Sequence, residues 1–253
     1  MTFCRLPRWP LRSLLLASLI TVSTSSQASE LTLLVGDNPP FNSFVHGKPE
    51  GMAVDVVGEM LKRSAISAKQ YNYPWARALQ TAATTPNHCV YTLGRIAERE
   101  KRYVWIGPIA RIQGVFFGLR ERQLQLKSLD DARKLRIGDL RQGANAVWLE
   151  QLGFKIDYAN TEEQNIKKLL AGHIDLYPAS LHAGPEIARR MKIPPQRITP
   201  LLAFNQVDLY LGCSPNTPSP LIKRLTQALA QMRADQSLKQ IEARYSPQLQ
   251  IAH

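Results

Sequence analysis

Arginines crowd the segment GRIAEREKRYVWIGPI, which directly follows the apolar run CVYTL. A guanidinium is charged at physiological pH, and its planar fork of N–H donors matches a carboxylate. Because CVYTL is typical of a buried strand, Arg95 and Arg99 are expected where that strand ends, and ligand sites of α/β sheets form at such ends. The segment predicts a site for a small anion. A solvated Arg99 paired with Glu98 or Glu100 is the alternative.

A second basic residue stands in LRQGAN, before a predicted helix. Arg141 offers a further cation, and the free N–H groups at Ala144 and Asn145 would face an anion at the helix start. The alternative is a β–α turn that needs Gly143 for its backbone alone. Both interpretations stay open for Arg141 and Asn145.

Aromatic residues near the predicted strand ends are candidate walls for a ligand. Trp75 follows Pro74 in a loop, which favours the site, whereas Phe41 and Tyr177 are equally typical of a core. No metal-ligand spacing such as HxxxH or HExxH occurs among the histidines, and no nucleotide-binding glycine motif is present. We therefore expect neither a metal nor a cofactor.

Short apolar runs alternate with helical patterns and would position these residues. LTLLVG, CVYTLG, LRIGDL and VDLYLGCS read as buried strands, and segments such as AVDVVGEMLKRSA have helical spacing. This alternation predicts an α/β fold with βαβ units in two halves, the second beginning near Gly114. The strands outnumber those of one compact sheet. The final stretch, from Pro218 to Tyr245, predicts two amphipathic helices.

The N-terminus has the pattern of a secretory signal peptide over residues 1–28: arginines, an apolar run, then small residues before an expected cleavage after Ala28. The protein is thus expected in the periplasm. Its net charge of +12 favours an anionic small ligand or an anionic envelope surface, or simply a solvated basic surface. Nucleic acid is not expected as the partner of an exported chain.

Beyond the signal segment two cysteines remain, Cys89 and Cys213. An oxidising compartment allows an even pair to form a disulfide. Two buried free thiols are the alternative.

Several segments resemble the extracellular solute-binding proteins of the polar amino acid uptake type (family 3): GMAVDVVGEMLKR, WARALQTA, GRIAEREKRYVWIGPI, LRIGDLRQGANAVWL, NIKKLLAGHIDLYPAS and LYLGCSPNTP. The resemblance implies a type II periplasmic-binding-protein-like fold, in which two α/β lobes joined by a two-strand hinge close on a ligand. Lobe 1 would comprise 29–112 plus 206–253, and lobe 2 would comprise 113–205. The family's sheet order would also bring the strand of Cys89 beside the returning strand of Cys213.

The resemblance also assigns roles to individual residues. Family members carry a Thr-x-x-Arg segment whose arginine binds the ligand carboxylate, and IAER places Arg99 there with Ile96 in place of the threonine. Many members carry an aspartate at the position of Ser180, which pairs with the ligand ammonium. Burying an ammonium without a carboxylate is costly. Either Asp37 supplies that charge, or the ligand is not an α-amino acid.

The leading hypothesis is a monomeric, non-enzymatic binding protein that captures a small polar solute, an amino acid or related carboxylate, for an inner-membrane ABC permease. The alternatives are an enzyme on the same scaffold, similar to periplasmic cyclohexadienyl dehydratases, and a sensor for a membrane signalling partner. The enzyme requires a general acid in the cleft. A buried carboxylic acid near the cleft centre would favour the enzyme.

Overall fold

The computed structural model describes residues 1–2 and 30–249. The predicted signal peptide at 1–28 falls almost wholly outside the described residues. Strands are β1 (Leu31–Val35), β2 (Ser43–Val45), β3 (Lys48–Glu50), β4 (Ala68–Asn72), β5 (His88–Gly94), β6 (Val104–Leu119), β7 (Ile137–Leu140), β8 (Ile156–Ala159), β9 (Tyr177–Ser180) and β10 (Ile198–Cys213). Helices are α1 (Met52–Ser64), α2 (Trp75–Thr84), α3 (Leu129–Ala132), α4 (Ala144–Gln151), α5 (Glu162–Leu170), α6 (Ala183–Arg190), α7 (Ser219–Ala234) and α8 (Ser237–Leu249).

One six-stranded sheet, in the order β4-β1-β5-β10-β6-β9, connects the two lobes. β1 pairs in parallel with β4 and β5, whereas β10 runs antiparallel to both β5 and β6. β6 and β10 are each 16 residues long and pair along almost their whole length. The chain therefore leaves lobe 1 along β6 and returns along β10. The predicted lobe boundaries fall within these two strands.

Continuous apolar runs form strands here because both faces of the sheet are covered. Successive side chains of a strand point to opposite faces. In lobe 1, Leu33 packs into the core beneath α1 and α7, while Leu34 packs on the other face against α2. In lobe 2, Phe116 and Phe117 divide in the same way between the α4 side and the α5 and α6 side.

The expectation that the strands outnumber those of one compact sheet is confirmed: of the ten strands in the described residues, six form the sheet that β6 and β10 extend through both lobes, and four lie outside it. Only the β2–β3 hairpin and the parallel pair β7–β8 form separate sheets among the described residues.

A disulfide joins Cys89 and Cys213, with an S–S distance of 2.05 Å. The two residues stand opposite each other in the register of β5 and β10. The bond therefore ties the returning strand to the centre of lobe 1, and it closes a loop of 124 residues in sequence separation that contains all of lobe 2. Among the described residues, no helix is long and apolar enough to cross a membrane.

Candidate ligand-binding site

A cavity of about 110 Å³ lies between the lobes, where the ends of β1 and β5 face the β7–α4 turn, α5 and β9. Lobe 1 lines it with Gly36, Asp37, Asn38, Asn42, Trp75, Thr92, Gly94, Arg99, Ile112 and Leu209. Lobe 2 lines it with Asp139, Leu140, Gly143, Ala144, Asn145, Glu162, Pro178, Ala179, Ser180 and Ala183. Both lobes thus contribute polar groups to one cleft.

Arg99 is the cation of this cavity and is only 4% exposed. It lies on a 3-10 turn after β5 and donates to the backbone carbonyls of Gly94 at 3.1 Å and Gln142 at 2.5 Å. No carboxylate of the described residues lies within ion-pair distance of it. Burial lowers the pKa of Arg99 to about 10, so the guanidinium stays charged at neutral pH. Its remaining N–H donors are available to an anion.

The β7–α4 turn of lobe 2 meets Arg99 from the opposite side. Gln142 adopts the left-handed backbone region at φ 59°, and its carbonyl accepts hydrogen bonds from both Arg99 and the Trp75 indole N–H, the latter at 3.1 Å. α4 then begins at Ala144 without a side-chain cap. Its first N–H groups are orphan donors at the cavity wall, with the positive end of the helix dipole.

A buried polar network forms the lobe 1 wall. The Thr92 hydroxyl donates to the Asn42 side-chain carbonyl at 2.6 Å, and the Asn42 amide donates to the Gly36 carbonyl at 2.7 Å. Thr92 has φ 44°, a left-handed conformation that a β-branched residue rarely adopts. Strain of this kind concentrates at ligand sites, where packing holds it in place.

Two carboxylic acids in the lobe 2 wall escaped the sequence prediction. Asp139 is 3% exposed, and Glu162 is partly buried as the first residue of α5 after the Thr161 N-cap. Burial, assisted by the neighbouring charge of Glu162, raises the pKa of Asp139 well above its usual range. Burial likewise raises the pKa of Glu162 to about 7, although the hydrogen bond from the Tyr177 hydroxyl opposes the shift. The available signal was an aspartate as the only charged residue of β7, IGDL.

Ser180, at the position where many family members carry an aspartate, and Asp37, the predicted ammonium partner, both line the cavity. The Ser180 hydroxyl accepts a hydrogen bond from the Ala183 backbone N–H at 3.1 Å and therefore caps the turn into α6. Asp37 accepts two hydrogen bonds from Arg190 of lobe 2, at 2.9 and 3.1 Å. Asp37 thus joins the lobes at the rim, and its charge is already paired.

Asn145 lines the cavity at the first turn of α4, and its side-chain carbonyl accepts a weak hydrogen bond from Asn205 at 3.4 Å. Trp75 lines the cavity as the first residue of α2. Both residues therefore form part of the cavity wall.

Phe41 and Tyr177 do not line this cavity, which corrects their prediction as ligand walls. Phe41 is 1% exposed and packs in the lobe 1 core, because the loop before β2 folds back beneath α1. Tyr177 is fully buried in the lobe 2 core. It reaches the site only through the hydrogen bond, 2.9 Å long, that its hydroxyl donates to Glu162.

Arg95 and Arg141 also lie outside the cavity. Arg95 is exposed, pairs with Glu100 and stacks near Trp105, because the 3-10 turn directs it away from Arg99. Arg141 is exposed and lies over the ring of Tyr158, 4.8 Å from its centroid. Arg99 is therefore the cation that lines the cavity. Arg141 belongs to the β7–α4 turn, but its side chain does not line the cavity. Within residues 30–249, no group of three His, Cys, Asp or Glu side chains is arranged to hold a metal ion.

The fold and this cleft define a two-lobed binding protein of the type II periplasmic class. The chain belongs to the bacterial extracellular solute-binding proteins, family 3, whose family model matches residues 31–248. Among curated proteins, none matches the sequence significantly.

Solved structures with the same fold include a histidine kinase sensor domain with similarity to periplasmic binding proteins, at 17% identity and a TM-score of 0.77, covering 85% of this chain and 95% of that one. The arginine-, lysine-, histidine-binding protein ArtJ from Geobacillus stearothermophilus matches at 16% identity and a TM-score of 0.75, covering 86% and 95%. A mutant of ArgBP from T. maritima matches at 12% identity and a TM-score of 0.75, with the same coverage. At these identities the likeness concerns the fold.

Proposed function

We propose that this protein captures a small polar solute bearing a carboxylate, an amino acid or related compound, in the periplasm and delivers it to an inner-membrane ABC permease. The observation that carries the proposal is Arg99: a buried, charged guanidinium in an interlobe cavity, without a carboxylate partner among the described residues. A ligand carboxylate supplies that partner. The uncapped start of α4 faces the same space and supports an anion there.

Capture by closure follows from residues that both lobes contribute. A solute held by Arg99 of lobe 1 and by the α4 turn of lobe 2 makes its full set of contacts only when the lobes meet. It therefore binds the closed form more tightly and shifts the population toward it. We propose the lobes as 29–112 plus 206–253 and 113–205, hinged in β6 and β10.

Glu162 favours a second candidate function, a lyase similar to the periplasmic cyclohexadienyl dehydratases. An acid with a pKa near 7 is suited to general acid catalysis, and Glu162 lines the same cavity as Arg99. In this case the purified protein consumes prephenate, and Glu162→Gln abolishes the consumption. A sensor is a third candidate function, supported by the fold that this protein shares with a histidine kinase sensor domain. A sensor would capture its ligand in the same way and then act on a signalling partner.

A thermal-shift screen of the purified protein tests the capture proposal. The panel contains amino acids, small dicarboxylates, polyamines and prephenate, because a ligand that binds only the folded state stabilises it by about 2.7 kcal/mol at 100 times its Kd. We expect at least one carboxylate to raise the Tm in wild type and in the matched control Arg95→Ala, but not in Arg99→Ala. A ligand that stabilises Arg99→Ala equally would contradict the proposal.

A further inference from the structure

The lobe 2 wall carries an acidic pair that the capture of a carboxylate does not use. Asp139 lies on β7 and Glu162 starts α5, and both line the cavity opposite Arg99. One oxygen of Asp139, Oδ1, accepts the Leu140 backbone N–H at 2.6 Å. The other, Oδ2, is buried with no hydrogen-bond partner in the described part of the chain. Native structures rarely leave such an atom unpaired, so it requires a partner from outside the chain.

The surroundings of this pair contain no internal counter-ion. Glu162 accepts a hydrogen bond from the Tyr177 hydroxyl at 2.9 Å and interacts with the Asn165 side chain, and no lysine or arginine of residues 30–249 lies within ion-pair distance of either acid. Asn165, one turn further along α5, is fully buried, and its neutral side chain lies beside Glu162. The hydrogen bonds that the two acids accept, from the Leu140 backbone N–H and the Tyr177 hydroxyl, thus come from neutral donors.

The other charged groups around the pair do not neutralise it. Glu163 follows on α5 and adds a further negative charge, and Asp37 across the cavity is paired with Arg190. Arg99 is bound to backbone carbonyls of both lobes. Two like charges buried close together are unfavourable unless a proton or a cation joins them.

We propose that Asp139 and Glu162 form an acidic subsite for a cationic nitrogen of the captured solute, an ammonium or guanidinium, while Arg99 holds its carboxylate. This inference rests on the proposed function. The subsite is separate from Ser180, where the family resemblance would place the acid. It explains how a chain without that acid binds an amine, with Asp37 engaged elsewhere.

Proton release is the distinguishing signature of this subsite. Without a ligand, burial raises the pKa values of both acids; the charge of Glu162 adds to the shift of Asp139, and the charges of Asp37 and Glu163 add to that of Glu162, so protons occupy the pair near neutral pH. A cationic nitrogen replaces those protons, and each proton leaves for solvent as the ion pair forms. Binding therefore tightens as the pH rises, up to the pH at which the amine itself loses its proton.

Matched probe pairs test the subsite by calorimetric titration of the purified protein. In each pair both members carry a carboxylate and only one carries amine nitrogen: L-alanine against L-lactate, L-glutamate against glutarate, and L-lysine against hexanoate. We expect binding of at least one amine-bearing member, at least tenfold tighter than its partner and at least tenfold tighter at pH 8 than at pH 5. Titration in buffers of different ionisation enthalpy should report protons released.

Variants assign the effect to the pair. Asp139→Asn and Glu162→Gln keep the shapes of the side chains and should each weaken the amine-bearing probe at least tenfold and reduce the proton release. Glu163→Gln, the neighbouring acid outside the cavity, is the matched control and should change binding much less than either variant, because its charge has the smallest effect on Glu162. Thermal unfolding of each variant at pH 5 verifies that it is folded.

The outcomes separate this inference from the proposed function. Carboxylates without nitrogen that bind as tightly as their amine partners, or variants that bind the amine as wild type does, overturn the subsite and leave solute capture standing. A wild-type protein that binds no member of the probe pairs or the wider panel overturns both.

Discussion

Replacing Glu162 with glutamine should stabilise the ligand-free protein at alkaline pH. Burial raises the pKa of this carboxyl from the ordinary 4.5 to about 7. Between these values the unfolded chain has released a proton that the folded protein still holds, so stability falls as the pH rises. The stabilising contribution is complete below about pH 4.5 and is lost as the pH passes through about 7. Glutamine cannot ionise and removes this dependence.

The size of the effect follows from the two pKa values. A difference between 4.5 and about 7 corresponds to at most about 3 kcal/mol at pH 8. Solvent in the cavity screens the partly buried carboxylate, so we expect about 1–3 kcal/mol. At about 2–4 °C per kcal/mol for a chain of this size, Glu162→Gln should raise the Tm by about 2–12 °C at pH 8.

Urea unfolding and thermal melts at pH 4.5 and pH 8 measure this difference. Glu163→Gln is the control, since it removes one carboxylate from the same helix turn outside the cavity. Equal stabilities of Glu162→Gln and wild type at pH 8, or a gain that is the same at both pH values, would refute the reasoning. The same gain in Glu163→Gln would assign it to net charge.

Three further predictions concern the contacts that hold the lobes and the sheet. Replacing Cys89 and Cys213 together with serine should lower the free energy of unfolding by about 2–4 kcal/mol, measured in urea against wild type with and without reductant; an unchanged midpoint would contradict it. Arg190→Ala removes the partly exposed pair with Asp37 and should cost about 0.2–1 kcal/mol, less at high salt; a salt-independent loss would indicate another cause. Trp75→Phe retains a ring but loses the indole donor to lobe 2 and should weaken ligand binding about tenfold by calorimetry, whereas equal affinity would refute a role in closure.

Much of the fold could be predicted because its signals are local. The run LTLLV forms β1, and TEEQNIKKLL forms α5 with Thr161 as its cap. The 16-residue lengths of β6 and β10 could not be read in this way. Each strand passes from one core through the hinge into another, so its burial pattern changes midway and no single periodicity describes it.

The site was harder to predict because it depends on where each side chain points. Arg95 and Arg99 share one turn, yet only Arg99 lies in the cavity. Phe41 and Trp75 both follow strands of lobe 1, yet one packs into the core and the other lines the cleft. Asp139 was not predicted as a site residue, because the sequence does not show whether an acid in a buried strand faces a core or a cavity.

Calorimetric titration of the tightest-binding carboxylate into wild type, Arg99→Ala and Arg95→Ala tests the central claim most directly. Removing one partner of a buried charge pair costs about 2–5 kcal/mol, so Arg99→Ala should weaken binding by a factor of at least about 30. Arg95→Ala should bind as wild type does, because its guanidinium is exposed outside the cavity. Equal affinity of the folded Arg99→Ala protein and wild type would contradict the account.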